Sequence, residues 1–288
     1  MGLRINAALS ALLMLAPAFL RAQIGEYTEA GLGYPVPSVI ESTTPAEGFR
    51  SYDALRARLS QLLLDYPDLL TEYEIGTTVD GRAIYAYILS DPDATTAEGI
   101  SEPTFILNGT THAREWASPE IVMQLAEELI DGYGATPLAT YFVDNNNLLF
   151  IPVLNVDGFL QTQRYPAQYV LSGGERDGRM RRKNMRGVDE DLFTTGDALL
   201  GTDLNRNFTP FWGGGSGSAS SITYRGTAAL SEPESVALTS VPGLLDSDSE
   251  VRVYVDMHGA IPAIYYSTFG IPAVDDQVLT LTNRMNAA

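Results

Sequence analysis

The chain has 288 residues, 45% of them apolar, enough to bury a sizeable core in one large α/β domain or two small ones. Its formal net charge of -18 excludes a nucleic-acid partner, because neutralising phosphates takes a basic surface. There is no cysteine, which excludes disulfides and thiolate metal sites; zinc could be held only by carboxylates and the two histidines, His112 and His258.

Residues 1–22 read as a signal peptide. Arg4 supplies the positive start, Ala7 to Leu20 the apolar run, and Ala16-Pro17-Ala18 or the Ala22/Gln23 junction a cleavage site. The run falls short of the about 20 residues a membrane helix needs, and an uncleaved anchor is the weaker alternative. No later stretch is apolar enough to span a bilayer, so we expect a secreted or periplasmic protein with no stable membrane span once the signal is removed. Residues 23–46 lack periodicity and read as a linker or N-terminal extension, leaving 47–288 as the globular domain.

Ser51-Tyr52-Asp53 can cap a helix with Leu55, Leu59, Leu62 and Leu63 on its apolar face, ending before Pro67. Leu69 to Ile75 and Ala83 to Ser90 are expected strands around an Asp80-Gly81 turn. Thr104 to Leu107 reads as a short buried strand stopping at Asn108-Gly109. Ser118-Pro119-Glu120 offers an N-cap, a proline in the first turn and an acid for a helix lined by Ile121, Leu125 and Leu129 up to Gly132. Leu148 to Leu154 is a second buried strand, running into Asn155-Val156-Asp157-Gly158. Gly173 to Asp197 is polar and loop-like, and Gly213 to Ser218 is a loop by composition. Ser231-Glu232-Pro233-Glu234 opens a helix to about Leu245. Val251 to His258 alternates, with Arg252, Tyr254, Asp256 and His258 on one side. Strands alternating with helices indicate a mixed, mostly parallel central sheet with helices on both faces, an α/β fold.

Three of these strands end in polar residues: Leu107 before His112 and Glu115, Leu154 before Asn155 and Asp157, Val255 before His258. Ligands bind at the carboxyl ends of strands in open α/β sheets, so the three ends are expected to share a crevice. His-x-x-Glu alone is a weak signal. A lone His258 is more often a hydrogen-bonded core histidine, but its position at a strand end, as the sole partner available to His112, favours a ligand role. Two imidazoles and a carboxylate with an open position suit hydrolytic zinc. A basic run, Arg176, Arg179, Arg181, Arg182, Lys183 and Arg186, reads for several members as a solvated loop against acidic surface. Arg206 stands apart in Asp203-Leu204-Asn205-Arg206-Asn207. Guanidinium groups suit capture of a carboxylate and stabilisation of an oxyanion, which suggests a peptide hydrolase acting at a free C-terminus.

Thr111-His112-Ala113-Arg114-Glu115-Trp116, Asn155-Val156-Asp157-Gly158-Phe159, Arg179-x-x-Arg182-Lys183, Asp203-Leu204-Asn205-Arg206-Asn207-Phe208 and Tyr224-Arg225-Gly226 with Ser231-Glu232-Pro233-Glu234 together resemble the zinc carboxypeptidases related to carboxypeptidases A and B, from about Phe49 to His258. The resemblance implies one Zn2+ per chain on His112, Glu115 and His258, with Asp203 orienting the first histidine. It implies Asn205 and Arg206 on the substrate's terminal carboxylate, Arg182 on the scissile carbonyl and Arg114 further along the substrate. The implied activity is removal of C-terminal amino acids from peptides or proteins through zinc-activated water. Asn155 and Asp157 read as structural support or a tight Asx turn.

In one respect the chain departs from that pattern. The family's general-base glutamate, a flexible tyrosine and the residue setting side-chain preference lie well downstream of the last zinc histidine. Residues 259–288 contain no glutamate, and Tyr265, Tyr266 and Asp275-Asp276 stand too near His258 to match. Glu232 and Glu234 fit helix-start roles better than that of base, and Asp256 is a weak candidate for it. The chain is therefore expected to be C-terminally incomplete, lacking the last strand and helices, with the edge of its sheet exposed. The alternative is a non-catalytic zinc- or peptide-binding relative; hydrolysis of small acylated amino acids by a related zinc fold is weaker still.

Overall fold

The computed structural model describes residues 49–165, 177–191, 194–209, 212–245, 249–259 and 279. The expected signal peptide and extension, Arg176, Tyr265, Tyr266, Asp275 and Asp276 lie outside the described residues.

Helix α1 (Tyr52–Asp65) starts where expected. Ser51 is its N-cap, the hydroxyl accepting from the Ala54 N–H, and Leu55, Leu59 and Leu62 are buried. Strands β1 (Leu70–Thr77) and β2 (Ala83–Leu89) form the expected antiparallel hairpin, and Gly81 in its turn has φ 81°. Strand β3 (Thr104–Asn108), helix α2 (Ala117–Gly132), helix α3 (Pro137–Asp144), strand β4 (Asn147–Ile151) and helix α4 (Val156–Arg164) follow. Helix α5 (Pro233–Ser240) and strand β5 (Val251–Asp256) complete the described regular elements, all within a unit that ends at His258.

The sheet order is β1-β2-β4-β3-β5. Since β2 is antiparallel to both β1 and β4, while β3 is parallel to β4 and β5, four of the five strands run the same way. Leu148 to Ile151 of β4 are buried without interruption, as a strand covered on both faces must be. Among the described residues β5 pairs only with β3, and its Val251 and Tyr254 are 39% and 47% exposed.

Tertiary packing overrode several local expectations. In α2 the buried stripe is Pro119, Val122, Met123, Ala126 and Ile130, while Ile121 and Leu125 are exposed. The apolar pattern there is broad enough to supply two stripes, and contact with β3 and β4 selects one of them. Ser118 is not the N-cap: Trp116 occupies that position, with no side-chain cap bond. The Ser118 hydroxyl instead donates to the Glu115 carbonyl at 2.8 Å and accepts from the Thr110 N–H at 2.9 Å. Strand β4 stops at Ile151, because Pro152 has no N–H to continue a ladder. Asn155 then caps α4 by accepting from the Gly158 N–H, so this turn begins a helix. Helix α5 gives way after Ser240 to a 3-10 turn over Val241–Leu244, which contains Pro242.

Pairing continues past the strand ends and draws the three loops together. Gly109 N–H donates to the Ile151 carbonyl, Met257 N–H to Asn108 and Asn155 N–H to Thr110. A side chain at Gly109 could not be accommodated: its Cβ would lie 2.7 Å from the Pro152 carbonyl oxygen.

Candidate metal centre

His112 follows directly from this crossing of loops. Thr110 takes φ 56°, an uncommon backbone for a β-branched residue, held by its N–H on Ser118 and its hydroxyl on the Pro152 carbonyl at 3.0 Å. The strained turn aims His112 and Glu115, both nearly fully buried, at His258 on the end of β5. His112 Nδ1 lies 2.9 Å from Glu115 Oε1 and 3.0 Å from His258 Nδ1, and His258 Nδ1 lies 2.9 Å from Glu115 Oε2. One donor atom from each of the three lies within 4.8 Å of the others.

The outer imidazole nitrogens are both held by carboxylates. His112 Nε2 is 3.2 Å from Asp203 Oδ1, and His258 Nε2 is 3.0 Å from Asp256 Oδ2. A neutral ring that donates Nε2–H outward to its carboxylate would turn an Nδ1 lone pair inward, the tautomer a metal ligand requires. Two imidazole nitrogens and a carboxylate converging at such short range call for positive charge among them, a proton or a metal cation. The donor set fits a divalent metal of intermediate softness, zinc above all.

Electrostatics point the same way. Burial alone would push Glu115 up, but hydrogen bonds and charge from His112 and His258 outweigh it and hold the carboxyl below its ordinary value. Burial would likewise lower His258, yet Asp256 and Glu115 push it up to about 10, so the pocket strongly favours positive charge. Asp203 is fully buried. Burial opposes its charge, while His112 and Arg182 lower its pKa on balance.

Asp203 is the hub for the surrounding residues. Arg182 donates to its Oδ2 through Nε at 3.1 Å and Nη2 at 2.9 Å, and the Asn205 N–H donates to Oδ1. Arg182 Nη1 also lies 3.3 Å from His112 Nδ1, which sets the guanidinium beside the three-ligand cluster. Asn205, which is exposed, brings Nδ2 to 3.5 Å from His258 Nε2. Arg206 is half-buried, donates to the Asn205 carbonyl and rests its methylenes on Gly215. Gly215 has φ 75°, and a Cβ there would meet the Thr223 carbonyl at 2.6 Å and Arg206 at 3.0 Å. Arg114 is half-buried at the mouth of the turn, its carbonyl accepting from Arg179 Nη1.

Much of the basic run is not solvated loop. Arg181 is 1% exposed, with Nη1 on Asp177 and Nη2 on the Asn184 carbonyl. Lys183 is buried against the carbonyls of Leu199, Ala219 and Ser221, and burial pushes it down to about 8. Arg179 stacks 3.9 Å over Trp116, and Arg186 reaches Glu232. These groups hold together the loops that position Arg182 and Asp203. Asp157 is buried and takes Arg82 and the Asp80 N–H, tying the β1–β2 turn to α4. Glu232 and Glu234 are buried on Asn184. Asp256, weighed as a base, is engaged with His258, Thr111 and Asn108. Its part as the counterpart of Asp203 went unread, although the alternation of β5 already set it two residues from His258 on the same face.

Comparison with known proteins identifies the family of the chain. The Peptidase_M14 model, zinc carboxypeptidase, matches residues 55–272, and the chain belongs to that family. It is 30% identical over 222 residues to carboxypeptidase B of Bos taurus, covering 76% of this chain and 47% of that protein. Among solved structures, thrombin activatable fibrinolysis inhibitor aligns with TM-score 0.61 at 25% identity, over 76% of this chain and 51% of the other. Carboxypeptidase A from Helicoverpa armigera aligns with TM-score 0.66 at 23% identity, over 96% and 60%, and shows the shared fold. The chain thus spans about half the length of the curated relatives it matches.

Proposed function

We propose that the protein is a zinc metallocarboxypeptidase that removes C-terminal amino acids from peptides or proteins. The observation that carries this reading is the convergence of two imidazole nitrogens and a carboxylate within 4.8 Å, both rings backed by carboxylates and flanked by Arg182. In it His112, Glu115 and His258 hold one zinc per chain. Zinc bound there would polarise the scissile carbonyl and acidify a water molecule.

The remaining steps fall to the chain's own residues. Arg206 and Asn205 grip the terminal carboxylate, which a guanidinium can do with two parallel hydrogen bonds. Arg182, held by Asp203, presents its remaining N–H groups to the carbonyl oxygen as negative charge develops. Arg114 binds the peptide further from the cut. Asp203 and Asp256 hold the two imidazoles in the tautomer that points Nδ1 inward. The domain runs over 47–288, and residues 1–22 direct export to the periplasm or exterior.

A second reading, zinc and peptide binding without turnover, is favoured by the carboxylates described at the cluster being already engaged: Glu115 inward, and Asp203 and Asp256 on the outer nitrogens. One experiment separates the two. Zinc content is measured alongside cleavage of a peptide with a free C-terminus and its amidated twin. Zinc with free-end-specific cleavage supports the peptidase; zinc with peptide binding and no cleavage supports the second reading. Folded protein that takes up no zinc refutes both.

A further inference from the structure

A second group of metal-binding character stands at the opposite end of the sheet. Asp91 and Asp93, just after β2, meet Glu102, just before β3, with one carboxylate oxygen of each within 4.8 Å of the others. The β2–β3 connection closes on itself here: Glu102 N–H donates to the Ala94 carbonyl, and Thr95 bridges to Ser101. Glu102 has no exposed surface. Its Oε2 accepts from the Ser90 hydroxyl at 2.9 Å, while Oε1 is buried without a hydrogen-bond partner. Asp91 Oδ1 is buried in the same condition. Asp93 Oδ1 is occupied by the N–H and hydroxyl of Thr95, which fixes that carboxylate toward its neighbours.

Like charges gather here. The charges acting on Glu102 are those of Asp91, Asp93 and Asp144, all carboxylates. Burial, followed by these charges, outweighs the Ser90 hydrogen bond and pushes Glu102 up to about 7. Two buried, unpartnered oxygens within a cluster of three carboxylates can be served by a proton or a cation. The donors are oxygen only, without imidazole, and they sit on an irregular loop with Asp93 open to water. That chemistry disfavours zinc, which prefers nitrogen and sulfur donors. It favours a hard cation tolerant of irregular geometry, calcium before the stricter magnesium.

We propose that Asp91, Asp93 and Glu102 form a calcium site that clamps the β2–β3 connection to the sheet, separate from the zinc cluster and independent of the peptidase reading.

The test is thermal unfolding and isothermal titration calorimetry of zinc-loaded, calcium-stripped protein at pH 8, where a proton no longer serves Glu102. In titration with CaCl2 the expected result is one Ca2+ bound per chain. The expected rise in Tm is roughly 5–10 °C at calcium a hundredfold above its Kd, with a smaller rise for MgCl2. Glu102→Gln preserves shape and the acceptor for Ser90. It should abolish the calcium-dependent rise, lift the Tm of the calcium-free protein and leave zinc content unchanged. Asp93→Asn, at an exposed position, is the second variant and should weaken calcium at least tenfold in the calorimeter whatever Glu102→Gln does to folding. Absence of calcium binding by the wild type would overturn the proposal. So would a calcium shift that NaCl at equal ionic strength reproduces, or one that persists in Glu102→Gln and Asp93→Asn.

Discussion

Asp256→Asn tests whether the second imidazole is held as tightly as the first. Asp256 Oδ2 takes His258 Nε2 at 3.0 Å, while Oδ1 accepts from Asn108 Nδ2 at 2.8 Å and from the Thr111 hydroxyl at 2.9 Å. An asparagine cannot serve both sides. Whichever way its amide turns, the NH2 group meets either the His258 N–H or the donors of Asn108 and Thr111. Groups that orient a ligand histidine contribute about 10–100-fold to metal affinity, equivalent to about 1.4–2.7 kcal/mol. The Asp256 side chain is 15% exposed, so Asp256→Asn belongs toward the lower half of that range. Asp203→Asn, at a side chain with no exposure and three partners, belongs toward the top. Zinc affinity would be read by competition with a chromogenic chelator. Arg252→Ala is the control, since Arg252 points to solvent and pairs only with Glu250 among the described ion pairs. Zinc affinity of Asp256→Asn within twofold of wild type would refute the argument that this carboxylate sets the tautomer of His258.

Other expectations are as direct. Glu234 is fully buried with Oε1 unpaired, and burial, reinforced by Glu232, pushes it up to about 7 against the Asn184 hydrogen bond. A folded value above the unfolded one means that stability is fully present below about 4.5 and lost as pH rises through 7. Glu234→Gln should therefore be more stable than wild type at pH 8 by up to about 3 kcal/mol, with the gap closing below pH 4.5 in urea titrations. Gly215→Ala forces a Cβ onto the Thr223 carbonyl and the Arg206 stem, costing about 1–3 kcal/mol of stability. It should also weaken binding of free-C-terminal peptides more than amidated ones; equal loss for both would refute a carboxylate role for Arg206. Arg182→Ala should reduce turnover about 100-fold or more where turnover is measurable. It should also lower Tm by leaving Asp203 buried without its guanidinium; a stable variant of unchanged zinc affinity would show that Asp203 does not depend on that pair.

Some parts of this fold were legible because the signal is local. The Ser51 cap, the leucines of α1, the Asp80-Gly81 turn and the buried runs of β3 and β4 each follow from propensities acting over a few residues. Helix α4 was missed because Asn155 ends one element and caps the next, and an Asx turn and an N-cap share their first hydrogen bond. Burial of Arg181 and Lys183 could not be read from composition, because their partners are backbone carbonyls that tertiary folding brings into reach.

The sequence by itself determined which imidazoles these 288 residues can offer a metal, since two histidines leave a single pair. Its motifs also named the arginines and the aspartate expected around them. Only the tertiary structure decided that His112 and His258, 146 residues apart, turn their Nδ1 atoms toward each other at 3.0 Å. It alone revealed Asp256 as the support for the second ring and gathered Asp91, Asp93 and Glu102 at the far end of the sheet. The physical reason is the same in each case. Side-chain chemistry is a property of the residue, whereas direction, desolvation and charge density belong to the parallel strands that bring distant residues together.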